Sequence, residues 1–212
     1  MKFKNHLDSI KATIYQCPTY EDLEKYLPEF VSLTWLEKIE DIEIFLKSKN
    51  MTRRDCVDET LLWHTLPTAL ETIHLTFFLE GLDLTNVTHV IRHRMFSFSA
   101  QSTDPVSMVN HDTLENDAFL QHPELRERSR QLAIEANKLY EDALKAGFSF
   151  YDARSYQPRS KECKYFMSGN IKDFIQFINT RLGRMNQPTS DNILALRMRN
   201  EILKRFPILE KQ

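Results

Sequence analysis

The chain has 212 residues, of which 42% are hydrophobic and 27% charged, and its formal net charge is −2. That length suits one domain with a sizeable core, and the composition is ordinary for a soluble globular protein. The near-neutral charge argues against a broad positive field that would recruit nucleic acid or an anionic membrane, and no apolar run approaches the roughly 20 residues that cross a bilayer.

The first 60 or so residues read as helices. YEDLEKYLPEF places Leu23, Tyr26 and Leu27 at helical spacing, and VSLTWLEKIEDIEIFLKSK carries Leu33, Leu36, Ile39, Ile42, Ile44 and Leu46 in a mostly amphipathic pattern. Packing or subunit contact is the expected role of this part. Residues 71–80, ETIHLTFFLE, alternate Ile73, Leu75 and Phe77, which predicts a strand with His74 on its exposed face. Gly81 to Asp83 then makes a turn. Thr85 or Asn86 caps a short helix, TNVTHVIRH, that delivers Arg92 at its C-terminal end. From Met95 to Ser102 the alternation returns, giving a strand with an aromatic face (Phe96, Phe98) and a hydroxyl face (Ser97, Ser99).

Pro123 and Glu124 open a long helix with a stripe of Leu125, Leu132, Ala136, Leu139, Ala143 and Leu144, and Gly147 ends it. CKYFM reads as a strand. Asn170 or Asp173 caps the helix DFIQFINTRL, with Phe174, Phe177 and Ile178 facing inward. The last helix starts near Ser190 and Asp191 and stops before Pro207. Without an internal repeat or low-complexity linker, the expectation is one α+β domain over residues 1–212.

The N-terminus, MKFKNHLDSIKATIYQ, lacks the apolar stretch of a signal peptide. Cys17, Cys56 and Cys163 are odd in number and without metal-finger spacing. A reduced, cytoplasmic setting with no membrane anchor is the expectation. His111, in VNHDTLEND, has no second histidine or cysteine at ligand spacing, so no metal site is predicted there. Arg126, Arg128 and Arg130 read as a solvated helix face. Only four glycines occur, Gly81, Gly147, Gly169 and Gly183, and they stand far apart. A dinucleotide fingerprint or a phosphate loop needs clustered glycines, so any nucleotide must be held by side chains and helix ends.

The stretch RHRMFSFSAQSTDP at 92–105 sets Arg92, His93 and Arg94 side by side. Arginine carries a fixed fork of donors suited to phosphate or to the edge of a planar base. On chemistry alone the segment is a solvated basic turn or a site for an anionic ligand.

Order and spacing narrow that choice. Arg-His-Arg, the seven residues MFSFSAQ, and Ser102 resemble the signature of the flavin-dependent thymidylate synthases. HTLP at 64–67 resembles the family's His-x-x-Pro segment, ARSYQP at 153–158 its Ala-Arg-x-x-x-Pro segment, and NIKDFIQFINTRL at 170–182 its Asn-x-Arg…Phe-Leu-x-x-Arg helix. The resemblance covers about 60–205, with 1–60 a divergent helical segment.

It implies that family's fold, an antiparallel or mixed sheet flanked by helices, assembled as a homotetramer with active sites shared between subunits. It implies FAD as cofactor, with NADPH and methylenetetrahydrofolate as co-substrates and dUMP methylated at C5. Arg92, His93, Arg94, Asn170, Lys172, Gln176 and His64 would contact FAD. His89, Arg92, Ser102, Arg154 and Arg181 would contact the nucleotide, with Arg181 catalytic.

Departures from the family pattern fall on the phosphate side. Where the family continues from Ser with x-Arg, this chain has Asp104, followed by Pro105. Ala100 stands for a usual Gln or Glu, His89 for Gln, and Leu66 for Ser or Thr. Another acceptor (UMP, dCMP or a nucleoside) is therefore an alternative, as is replacement of the missing cation by Arg53, Arg54, Lys161 or Lys164. From other classes come a catalytically silent relative and a nucleic-acid-binding module that stacks bases on Phe96 and Phe98; the net charge of −2 counts against the latter.

Overall fold

The structure is a computed structural model that describes residues 1–101, 107–183 and 188–211. Ser102 and Asp104 lie outside the described residues. The fold is α+β. In chain order the described residues form β1 (Phe3–Asn5), α1 (His6–Ser9), β2 (Lys11–Gln16), α2 (Tyr20–Glu24), α3 (Leu27–Ser32), α4 (Ile42–Ser48) and α5 (Arg53–Leu61). There follow β3 (His74–Leu82), α6 (Leu84–Val90), β4 (Ser97–Ala100), β5 (Thr113–Glu115), α7 (Asp117–Leu120) and α8 (Pro123–Lys145). The chain closes with α9 (Phe150–Ala153), β6 (Cys163–Asn170), α10 (Ile171–Gly183) and α11 (Thr189–Arg205).

Four strands form a sheet in the order β2-β3-β6-β4, flanked by helices. β1 and β5 form a separate parallel pair, with Phe3 opposite Thr113. The inward side of β3 is the alternation seen in the sequence: Leu75, Phe77 and Leu79 are buried.

The N-terminal reading needs correction. Residues 1–16 are not helical throughout but hold β1 and β2 around the four-residue α1. β2 is an edge strand, and of its KATIYQ only Ala12 is buried, so no apolar alternation marks it. The segment 20–48 is a series of short pieces. Thr19 caps α2 in a capping box with Asp22, and Pro28 then sits in the first turn of a new helix, α3. Ile42 and Leu46 are buried as expected, whereas Leu33, Ile39 and Ile44 face outward.

The described residues cluster into two compact units, each gathered from three stretches of chain. The first comprises Met1–Ala12, Phe78–Met167 and Asn186–Leu194; the second comprises Thr13–Phe77, Ser168–Met185 and Ala195–Gln212.

In the first unit, Met108, Tyr140 and Ala153 form a buried cluster, with Val109, Ala143, Leu144 and Phe150 packed against it. Gly81 extends β3 where a turn was expected. Its φ is +71°, and a Cβ there would lie 1.9 Å from the Ser9 carbonyl oxygen, so only glycine fits. The cap of α6 is neither Thr85 nor Asn86 but Asp83, whose carboxylate accepts the Asn86 N–H at 2.8 Å. An acid just outside a helix is a better acceptor for the first orphan donors than a residue already inside it.

α8 runs as its sequence predicts, and Gly147 follows it with φ +89°. Its predicted stripe, however, divides: Ala143 and Leu144 pack against the buried cluster, while the leucines before them point outward. Leu125, Leu132 and Leu139 are 49%, 59% and 49% exposed, and the buried face is Ala133, Asn137 and Tyr140. Arg126 and Arg130 of this helix are not merely solvated, for both fork onto the carboxylate of Glu115 on β5, with contacts of 2.6–3.0 Å.

In the second unit, α2, α3 and α5 bury Leu23, Leu27, Val57 and Leu61. α10 buries Phe174, Phe177 and Ile178, as its periodicity requires. Phe174 meets Phe77 edge to face, ring centroids 5.1 Å apart.

Candidate functional site

In the first unit, α6 and the turn after it present the basic triplet. The His93 N–H donates to the Val90 carbonyl at 3.1 Å, tightening the turn, and Arg92 and Arg94 are exposed on it. Phe96 is buried and meets Phe98 edge to face, while Phe98 contacts Tyr165 with centroids 6.3 Å apart. These rings anchor β4 rather than offering a flat stacking surface. Ser97, Ser99 and Ala100 lie exposed on that short edge strand.

One turn before Arg92, the imidazole Nδ1 of His89 is 3.3 Å from the carboxylate of Asp191, which is 1% exposed. Asn86 donates through its amide to Asp191 and to the Ser190 hydroxyl, both at 2.8 Å. Sequence reasoning missed Asp191 as a partner of this region. An acid in the first turn of a helix is ordinary on macrodipole grounds, so nothing in the sequence singled it out.

Arg154 lies in the turn after α9, its guanidinium carbon 4.2 Å from the ring centroid of Tyr151. It lines a cavity of about 400 Å³ with Met108, Tyr151, Ser155, Gln157 and Lys161. Arg92, His93 and Arg94 are not among the residues lining it. Both side-chain amide atoms of Gln157 are buried, with no hydrogen-bond partner among the described residues.

The four cations offered as replacements now separate. Arg53 is held by Glu29 and Glu43, Arg54 stacks on Tyr20, and Lys164 pairs with Glu80 at 3.0 Å. Lys161 shares the Arg154 cavity.

In the second unit, Asn170 rather than Asp173 serves the start of α10: its side-chain oxygen accepts the Asp173 N–H at 2.9 Å and its amide donates to the Asp173 carboxylate at 2.8 Å. Lys172 pairs with Glu71. Lys172 and Gln176 together line an open groove of about 770 Å³ with Trp63, Ile175, Asn179 and Thr180. Trp63 was not foreseen as a site residue. Its φ of 66° is left-handed, a conformation that costs a bulky residue free energy and that clusters at functional sites. No short motif announces such a backbone. His64 is exposed and held at 2.8 Å from the Glu59 carboxylate. Arg181 is 8% exposed, its guanidinium carbon 5.5 Å from the Phe177 ring centroid.

Burial pushes the thiols of Cys17, Cys56 and Cys163 up to about 11, so all three stay protonated near neutrality. The ring Nδ1 of His111 lies 3.1 Å from the Glu162 carbonyl oxygen. Among the described residues no cluster of three or more His, Cys, Asp or Glu side chains could hold a metal ion, and no helix is long and apolar enough to cross a membrane.

A family profile described as "Thymidylate synthase complementing protein" matches residues 24–208. A "Flavin-dependent thymidylate synthase" from Thermococcus onnurineus (strain NA1) is 30% identical over 116 residues, 53% of this chain and 47% of that protein. One of the same name from Pyrococcus abyssi (strain GE5 / Orsay) is 28% identical over 141 residues, 64% of this chain and 57% of that protein. The matches thus span about half the length of these curated relatives. Among solved structures, a UMP/dUMP methylase PolB from Streptomyces cacaoi bound with 5-Br dUMP superposes with a TM-score of 0.74 at 15% identity, covering 100% of this chain and 96% of that one. The same enzyme bound with 5-Br UMP gives 0.72 at 15% identity, with 100% and 95% covered. At that identity the likeness is one of fold.

Proposed function

The chain belongs to the thymidylate synthase complementing protein family, and we propose that it is a FAD-dependent enzyme that transfers a one-carbon unit from methylenetetrahydrofolate to C5 of a pyrimidine nucleotide. NADPH is the reductant and dUMP the default acceptor. The observation that carries this reading is the Arg92-His93-Arg94 triplet, held on the turn between α6 and β4, within a family match that spans residues 24–208.

The donor set suits a flavin. The groove in the second unit offers the Lys172 ammonium, the Gln176 and Asn179 amides and the Thr180 hydroxyl to a polar edge, and Trp63 and Ile175 to a flat apolar ring. In this reading Lys172, Gln176, Asn170, His64, Arg92, His93 and Arg94 hold FAD, and Lys172 leaves Glu71 to do so. When bound, the flavin supplies hydride transfer. Arg181 acts on the acceptor: a guanidinium stays charged at any working pH, so it stabilises a pyrimidine ionised at N3 and leaves C5 electron-rich. His89, Arg92, Ser102 and Arg154 orient the nucleotide. Thiols raised to about 11 are poor nucleophiles, in keeping with a route that needs no cysteine adduct.

The exposed leucines of α8, spaced seven residues apart, support assembly into a homotetramer with active sites shared between subunits. A cytoplasmic location remains the expectation.

A second reading keeps the flavin chemistry and changes the acceptor. Asp104 in the place of an arginine favours it, as does the fold shared with a methylase named for both UMP and dUMP. Purified protein should be yellow and bleach with NADPH. NADPH oxidation with methylenetetrahydrofolate across dUMP, UMP, dCMP and deoxyuridine then selects the acceptor. A yellow protein that turns over none of them is a silent relative. A colourless one that shifts single-stranded DNA overturns the enzyme reading.

A further inference from the structure

The cavity beside Arg154 has a charge pattern of its own. Arg154 and Lys161 both line it, and among the described residues no carboxylate does. Lys161 is 2% exposed, yet among the described residues every bond its ammonium makes runs to a neutral acceptor. These acceptors are Asn137 Oδ1 at 2.9 Å, the His111 carbonyl at 3.0 Å, the Met108 carbonyl at 3.4 Å and Met1 Sδ at 3.3 Å.

A buried ammonium without an adjacent anion is expensive, and it persists where something offsets it. Burial pushes Lys161 down to about 8, with Asp112 and Glu141 pulling the other way from a distance. The wall also carries the Ser155 hydroxyl and Gln157, whose amide has no partner among the described residues. A dianion set in this cavity would meet a fork of donors from Arg154, a hydroxyl, an amide and a second positive charge.

We propose that Lys161 makes this cavity selective for a phosphate monoester, so that the acceptor is a nucleotide and not a nucleoside. The pyrimidine identity of that acceptor rests on the function proposed above; the phosphate preference does not. The ammonium protons are already engaged, so Lys161 acts on the ligand through its charge, as a positioning residue, while Arg154 and Ser155 make the contacts.

The test is calorimetric binding of dUMP, deoxyuridine and ribose 5-phosphate to the purified protein and its variants, with circular dichroism to verify folding. Lys161→Met should weaken dUMP and ribose 5-phosphate about tenfold, the scale of removing one charge beside an anion, and leave deoxyuridine unchanged. Lys161→Arg should restore both. Ser155→Asp, at an exposed position, should weaken the two phosphates at least as much without touching the nucleoside. Equal losses for dUMP and deoxyuridine, or phosphate affinities that survive both Lys161→Met and Ser155→Asp within twofold, would overturn the proposal. Binding of ribose 5-phosphate that depends on Lys161, with no pyrimidine bound, would uphold the phosphate site and sink the pyrimidine reading. If the unaltered protein binds neither phosphate, the proposal falls.

Discussion

α8 and α10 present the same kind of sequence, a helix with a clear apolar stripe, and they use it differently: α8 packs only its C-terminal end, Ala143 and Leu144, against its unit's core. α10 buries Phe174, Phe177 and Ile178 within the second unit. α8 leaves Leu125, Leu132 and Leu139 in solvent, and is held in the first unit by Tyr140, Asn137 and the fork of Arg126 and Arg130 on Glu115. Periodicity therefore identifies a face that wants covering, but says nothing about which chain covers it. In α10 the cover is intramolecular; in α8 it would come from the neighbouring subunits of the homotetramer proposed above.

The largest effect should come from the buried face. Phe174→Ala removes a fully buried ring and its edge-to-face contact with Phe77, and should cost about 3–5 kcal/mol in denaturant unfolding. A loss under 1 kcal/mol would erase the contrast between the helices.

Next is the ionic clamp on α8. Arg126 and Arg130 hold the Glu115 carboxyl down to about 2. A depressed carboxyl stabilises the fold above its unfolded value of about 4.3 and loses that contribution as pH falls toward 2. Glu115→Gln should lower stability by about 1–3 kcal/mol at pH 7, and melting temperatures of the two proteins should converge as pH drops from about 5 to 2. A gap that is constant with pH would mean that the clamp does not hold α8.

Smaller again is Tyr140→Phe, which removes the hydroxyl that accepts the Met108 N–H at 3.2 Å. About 1 kcal/mol should be lost, together with faster amide exchange at Met108. The smallest effect on folding belongs to the outer stripe. Leu132→Asp with Leu139→Asp should shift the melt of the isolated fold by only about 0.5 kcal/mol, yet reduce the assembled species seen by sedimentation. A tetramer that survives both changes would show that this face is not an interface.

Much of the fold was legible beforehand because it rests on local physics. β3, α8, α10 and α11 declared themselves through period and caps, whereas the Arg92–Arg94 triplet and Arg154 stood out only through the resemblance of their segments to a family pattern. What could not be read shares one cause. β2 has almost no buried side chain, because an edge strand is held by backbone hydrogen bonds that any residue supplies. Asp83 outcompeted Thr85 and Asn86 as a cap by half a turn. Asp191 joins His89 across about a hundred residues, and Trp63 is set in a left-handed backbone that no motif encodes.

The sequence by itself determined the fold class, the main helices and strands, and the resemblance that names the chemistry, since all of these depend on residue type at fixed local spacing. Only the tertiary structure decided which apolar stripe is inside, which of four cations shares a cavity with Arg154, and that Lys161 lies there among neutral acceptors. Those are matters of burial and of distance between remote segments, and the free energy of a charge depends far more on what surrounds it than on its neighbours in the chain.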